Sequence, residues 1–109
     1  MASNEERIIK VYQAGELTVV GFDGRDVLDD VNVATFKTEI ADVVRDNDCR
    51  VLAVDLTGVK LVPSGLLGLL ASLRELVSEV HLYNPSPDVR EVLEITRLDQ
   101  IMPIHEVEL

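Results

Sequence analysis

Ser64 is the side chain in this 109-residue sequence that raises the first chemical question. A serine hydroxyl becomes a nucleophile when a histidine takes its proton and a carboxylate orients that histidine. The chain supplies His81, His105 and Asp55 for those roles. The local pattern speaks against the assignment. A hydrolase elbow reads Gly-x-Ser-x-Gly, whereas Ser64 stands between Pro63 and Gly65. His81 falls inside a predicted strand and His105 in the C-terminal tail, so nothing local brings either to Ser64. A small serine hydrolase is thus the weakest reading; the chain reads as no enzyme, with no catalytic residue assigned.

Other chemistries lack their residues. Gly65-Leu66-Leu67-Gly68 has neither the glycine density nor the Lys-Ser/Thr pair of a phosphate-cradling loop. One cysteine, Cys49, and two histidines are too few for a metal site, so neither metal nor cofactor is expected. Cys49 reads as a small residue beside a strand. Asp29-Asp30 reads as a helix-start device, because negative charge is favourable there. Asp55 ends a predicted strand and is either an acceptor that fixes the following loop or part of a site.

Composition narrows the partners. Twenty acidic against ten basic side chains give a net charge of −10, with Arg and Lys scattered singly. That field repels phosphate backbones and anionic lipid, so no nucleic acid partner is expected. Aromatics are 4% with no Trp, too few for base-stacking platforms. The N-terminus lacks the basic start and apolar run of a signal peptide. The stretch from Leu61 to Leu73 is broken by Pro, Ser and Gly and falls short of the roughly 20 residues a membrane span needs. No membrane insertion and a cytoplasmic location are the expectations, and 47% hydrophobic residues suffice for one folded domain over residues 1–109.

The elements that must position Ser64 follow from apolar spacing. Ile8 to Tyr12 and Leu17 to Phe22 read as an antiparallel hairpin around Gly15-Glu16. Val33, Phe36, Ile40, Val43 and Val44 form one helical face ending near Asp46, with Asp29, Asp30 or Asn32 as its cap. Arg50 to Leu56 reads as the central strand, buried on both faces. Leu66, Leu69, Leu70, Leu73, Leu76 and Val77 place a second helix after Pro63-Ser64-Gly65, with Ser64 as its N-cap. Leu67 and Ala71 lie on a flank of that helix, which is either a docking surface or packed on a neighbouring helix. Glu79 to Tyr83 is another strand. Asn84-Pro85-Ser86-Pro87-Asp88 announces a third helix with Ser86 as cap and Pro87 in the first turn. Leu98 to Val107 reads as an edge strand or loose turn. The fold class is therefore α/β, a mainly parallel four- to five-stranded sheet with about four helices. Its loops at the carboxyl ends of the strands, Asp55 to Gly65 above all, are the ligand-competent ones.

Three segments in this order resemble the STAS domain, the family of bacterial anti-sigma factor antagonists and of the cytoplasmic tails of sulfate transporters. They are Val54-Asp55-Leu56-Thr57-Gly58-Val59, then Ser64-Gly65-Leu66, then Leu82-Tyr83-Asn84-Pro85-Ser86-Pro87 with Val89-Arg90-Glu91-Val92-Leu93 and Thr96-Arg97-Leu98. The resemblance covers nearly the whole chain. It implies a partner-switching module in signal transduction and transcription regulation, a monomer or weak dimer that docks on an anti-sigma factor or serine kinase-like ATPase. In that family a serine at the start of the second helix takes a phosphate, and the modified form no longer binds. The family pattern there is Asp-Ser-Ser/Thr-Gly; this chain has Val62-Pro63-Ser64-Gly65. Pro63 stands at the acceptor position, Val62 replaces the carboxylate, Ser64 matches the second hydroxyl residue, and Leu67 stands where a small glycine is frequent. Ser64 is then a displaced phosphoacceptor or a plain cap, or the surface serves a partner without phosphate control. The implied partner-binding residues are Val62, Pro63, Ser64, Gly65, Leu67, Ala71 and Asp29. The alternative within the family is a module of another signalling or lipid-transport assembly.

Overall fold

Lys10–Gln13 (β1) and Leu17–Gly21 (β2) form the expected antiparallel hairpin, with a bulge between Val11 and Gln13. Gly15 takes φ +145°, which a side chain would rarely tolerate. Thr18 Oγ1 donates to the Gly15 carbonyl at 2.8 Å and accepts from its N–H at 3.3 Å, so a fully buried hydroxyl is satisfied inside the turn. The computed structural model describes residues 9–22, 28 and 32–107. Ile8, Asp29 and Asp30 lie outside the described residues.

Asn32 caps α1 (Val33–Asp46): its Oδ1 accepts from the Thr35 N–H at 3.0 Å. Phe36, Ile40, Val43 and Val44 are the buried face, as their spacing predicts. β3 (Val51–Asp55) leads to α2 (Ser64–Ser72), which ends in a 3-10 turn at Leu73–Glu75. β4 (Glu79–Tyr83) leads to α3 (Pro87–Ile95). Ser86 Oγ accepts from the Val89 N–H at 3.2 Å with Pro87 in the first turn, as the sequence signal announces. A second 3-10 turn, Leu98–Gln100, precedes the two-residue edge strand β5 (Ile104–His105). The described residues hold three α-helices, one fewer than the expected four, with two 3-10 turns besides.

The sheet order is β1-β2-β3-β4-β5, parallel from β2 onward. Right-handed crossovers between strands that follow one another in a single direction deliver every helix to the same face. Burial records this. Thr18, Val20, Leu52, Val54, Val80 and Leu82 are completely buried beneath the helices, while their neighbours Val19, Val51, His81 and Tyr83 on the other face are only partly covered. β3 is central and its middle residues Leu52, Ala53 and Val54 are buried on both faces as expected, but among the described residues helices cover one side alone. Ala53 escapes exposure on the open side because it is small and flanked by strands. Between sheet and helices Phe22 stacks on Phe36 at 5.8 Å, and Leu66, Leu67, Leu70, Leu82 and Leu93 complete the core. Burying one such side chain stabilises by about 1.5–3 kcal/mol. No helix of the described residues is long and apolar enough to cross a membrane.

Candidate functional site

Asp55 closes β3 and begins the site. Its Oδ1 accepts from the Thr57 N–H at 3.0 Å and from Thr57 Oγ1 at 2.6 Å, the loop-fixing role rather than a free acid. The chain turns at Gly58, where φ is +82°. Asn84, itself left-handed at φ +55°, follows β4 on the adjacent strand. Its Nδ2 donates to Thr57 Oγ1 at 3.0 Å, and its Oδ1 accepts from the Val107 N–H at 2.7 Å. Ser86 Oγ donates to the Lys60 carbonyl at 3.4 Å and the Leu28 N–H to the Leu61 carbonyl at 3.1 Å. The loop from Leu56 to Pro63 is thus tied to the β4–α3 turn, to the C-terminal segment and to the stretch before α1. Arg90 secures that segment from α3: it bonds Glu94 and pairs with Glu106, and the Glu94 hydrogen bond first, then the Glu106 charge, hold its pKa above the ordinary arginine value.

Asn84→Ala removes two side-chain hydrogen bonds and places a Cβ-only residue at positive φ. A cost of about 2 kcal/mol in urea unfolding follows from those terms. A change below about 0.5 kcal/mol would show that the Thr57–Asn84–Val107 chain does not hold the loop.

α2 departs from expectation at its start. Pro63, at φ −61° and ψ 148°, is the N-cap residue, and its carbonyl accepts from the Leu66 and Leu67 N–H groups at 3.0 and 3.2 Å. Ser64 is the first helical residue, so it is not the cap, and no side chain caps this helix. The extended ψ of the rigid proline sets the boundary one residue earlier than the serine suggests. The Ser64 hydroxyl is left exposed and without a hydrogen bond to any described residue, His81, His105 and Asp55 included.

Burial sorts the other expected docking residues. Val62 is 7% and Leu67 1% exposed, so neither side chain can present itself to a partner; Leu67 belongs to the core beside Leu66 and Leu70. Of the two readings of this flank, packing rather than docking holds for Leu67. With five buried leucines in nine residues and a turn, the apolar arc of this helix is wide enough to include it. Ala71 is half-buried, Pro63 is partly exposed, and Ser64 and Gly65 are exposed. Asp29 lies outside the described residues.

Sequence reasoning overlooked two contributors to this face. Leu61, 51% exposed at the mouth of the helix, adds an apolar side chain beside Pro63. Gly68 lies one turn after Ser64 and Gly65 and is exposed; a Cβ on Gly65 or Gly68 would meet no atom within 4 Å. The solvent side of α2 is consequently a nearly bare backbone strip from Ser64 through Gly65 and Gly68 to Ala71 and Ser72, ended by one free hydroxyl. A helix glycine costs about 1 kcal/mol relative to alanine when nothing forbids the Cβ. Such a strip leaves the helix backbone open to close approach.

A family model described as STAS domain matches residues 8–108. No curated protein sequence matches the chain. Among solved structures, an anti-sigma-factor antagonist (STAS) domain protein from Planctomyces limnophilus superposes with a TM-score of 0.75 at 22% identity, covering 92% of this chain and 91% of its own. The anti-sigma factor antagonist SpoIIAA in its unphosphorylated form gives 0.77 at 16% identity, covering 92% and 88%. The phosphorylated form of SpoIIAA, a Bacillus cell-fate determinant, gives 0.69 at 16% identity, covering 92% and 91%. At these identities the structures share the fold.

Proposed function

The chain belongs to the STAS domain family, and from that membership we propose that it is a non-enzymatic docking module of the anti-sigma factor antagonist kind. The observation that carries the reading is the bare strip of α2: Ser64, Gly65 and Gly68 exposed in line, with open space over both glycines. The bound partner is a protein, an anti-sigma factor or a serine kinase-like ATPase, whose contact surface is locally rich in Arg and Lys to complement a chain of net charge −10. Pro63, Ser64, Gly65 and Ala71, with Leu61 and Gly68, form the contact; Val62 and Leu67 support it from beneath.

Ser64 is the group on which phosphate control acts in this reading. The hydroxyl is exposed and unbonded at the first position of α2, where the helix N–H groups and dipole tolerate a phosphate. Its bulk and the desolvation cost of its charge, about −1.5 to −2 at neutral pH, keep the modified form out of an interface packed closely on the bare strip. Incubation with ATP and the partner kinase should add one phosphate in the intact mass, and Ser64→Ala should abolish it. An unchanged mass with an active kinase removes Ser64 as a switch and leaves a docking module without phosphate control.

A second reading has its own support. Pro63 occupies the usual acceptor position and stiffens the loop in extended geometry, which suits a permanent subunit of another signalling or lipid-transport assembly. Native co-purification separates the two: an ATPase-like regulator supports the first, a transporter or scaffold the second, and neither would leave both unsupported.

A further inference from the structure

On the sheet face that carries no helix among the described residues, His81 of β4 and His105 of β5 meet. His81 Nδ1 lies 2.8 Å from His105 Nε2. The ring planes differ by 17° and the centroids are 5.0 Å apart, so the rings meet edge to edge and the two nitrogens aim at each other. The other nitrogen of His81, Nε2, is 2.7 Å from Glu79 Oε1. Tyr83 stacks on the His105 ring at 4.7 Å between centroids.

A hydrogen bond between two imidazole nitrogens needs one donor and one acceptor. Two imidazolium rings would both present N–H at that point, with like charges at hydrogen-bond distance. The paired geometry therefore accommodates a neutral pair or a singly charged one and excludes the doubly charged one. Glu79, accepting from His81 Nε2, orients His81 in either permitted state.

β5 is short, and its flanks are held by the buried Met102, by Ile104 against the core and by the Arg90–Glu106 pair. It is two residues long and joins the sheet by the Leu82 N–H to the Pro103 carbonyl at 2.9 Å and the Asn84 N–H to the His105 carbonyl at 2.8 Å. Val107 then bonds Asn84, and its side chain and Tyr83 are walls of the shallow groove over Leu17, Val19 and Ala53.

We propose that the His81–His105 pair is a proton-operated latch that fastens β5 to the sheet when at most one ring is charged and releases it when both are. The sign follows from proton counts. The released strand binds two imidazole protons and the fastened strand one, so falling pH favours release. One extra proton in the released strand sets the steepest possible dependence at about tenfold per pH unit.

The surrounding charges leave the pair in command. From β4 come Glu79 and the Tyr83 phenol; from β3 comes Asp55, opposite Tyr83, with Oδ1 occupied by Thr57. Beyond His105, Glu106 is paired with Arg90, and Glu16 and Arg50 border the groove beside Glu79. In a chain of net charge −10, mild acid reduces overall self-repulsion, so global unfolding is not the expected response in this range. The latch stands apart from the docking reading and does not depend on it.

Amide hydrogen exchange between pH 7.5 and 5, corrected for intrinsic rates, tests it on Leu82, Asn84 and Val107, with Val54 of β3 as internal reference. Protection at the three amides should fall, by up to about tenfold per pH unit, while Val54 stays protected. His105→Gln and His81→Gln should each flatten that dependence. Constant protection in the wild type, or an equal fall in both variants, overturns the latch. Should neither variant hold β5 at any pH, the wild-type imidazole 15N spectrum decides. A second protonation coincident with lost protection supports the proposal, and a doubly charged pair on a protected strand contradicts it.

Discussion

Leu67→Ala is expected to lower the unfolding free energy by about 2–5 kcal/mol. Leu67 is 1% exposed and packs among Leu66, Leu70 and the other buried side chains between α2 and the sheet. Deleting three carbons there loses the transfer free energy of the removed surface and leaves a cavity that a helix anchored at Pro63 closes only in part. Against a total stability of about 5–15 kcal/mol for a domain of this kind, the variant approaches the unfolding threshold. Urea denaturation reads the effect as a lower midpoint at unchanged slope. Leu61→Ala, with a side chain 51% exposed, should cost less than about 1 kcal/mol in the same experiment. Equal, small costs for both would place Leu67 on the surface and contradict the packing. The contrast also governs how docking variants are chosen, because lost binding in Leu67→Ala would report a damaged fold.

Gly68→Arg should do the opposite: abolish partner binding and keep the fold. A Cβ at Gly68 meets nothing within 4 Å, and the residue is helical and exposed. Replacing glycine by a good helix former gains about 0.8 kcal/mol of local helix stability. The long cationic side chain then stands where the partner backbone or side chains must approach, and it faces a partner surface expected to be basic. A loss of at least about 100-fold in affinity, near 2.7 kcal/mol, is the expected result. Gly68→Ala gives the graded version, a slightly more stable protein with a smaller loss. Undiminished affinity in Gly68→Arg would put the partner elsewhere on the molecule.

The fold was legible because local signals and apolar period agreed. Asn32 and Ser86 cap the helices they precede in sequence, and Glu79 to Tyr83 is the strand its composition announces. One-sided cover of β3 was not legible. Its unbroken apolar run, Val51 to Val54, reads the same whether the second face meets helices or only shading from neighbouring strands. At the site, a hydroxyl residue before a leucine run suggested a cap, but proline can supply an extended N-cap geometry without a side-chain acceptor, and it displaced Ser64 into the helix. Asp55 to Thr57 is a short-range pattern that sequence can show. Asn84 to Thr57 exists only because β3 and β4 pair in parallel with Asp55 opposite Tyr83. Leu67 stayed open between docking and packing because a nine-residue helix with four leucines and no charged residue has no sharp polar boundary from which to infer its facing.

The bare strip of α2 as the partner surface is tested most directly by capture from native extract with three forms of the protein: wild type, Gly68→Arg, and Thr38→Arg on the exposed side of α1. Identical folding of all three is verified beforehand by thermal unfolding. The account predicts one regulatory protein retained by wild type and by Thr38→Arg and lost from Gly68→Arg. Retention of the same protein by Gly68→Arg, or no protein retained by the wild type, would contradict it.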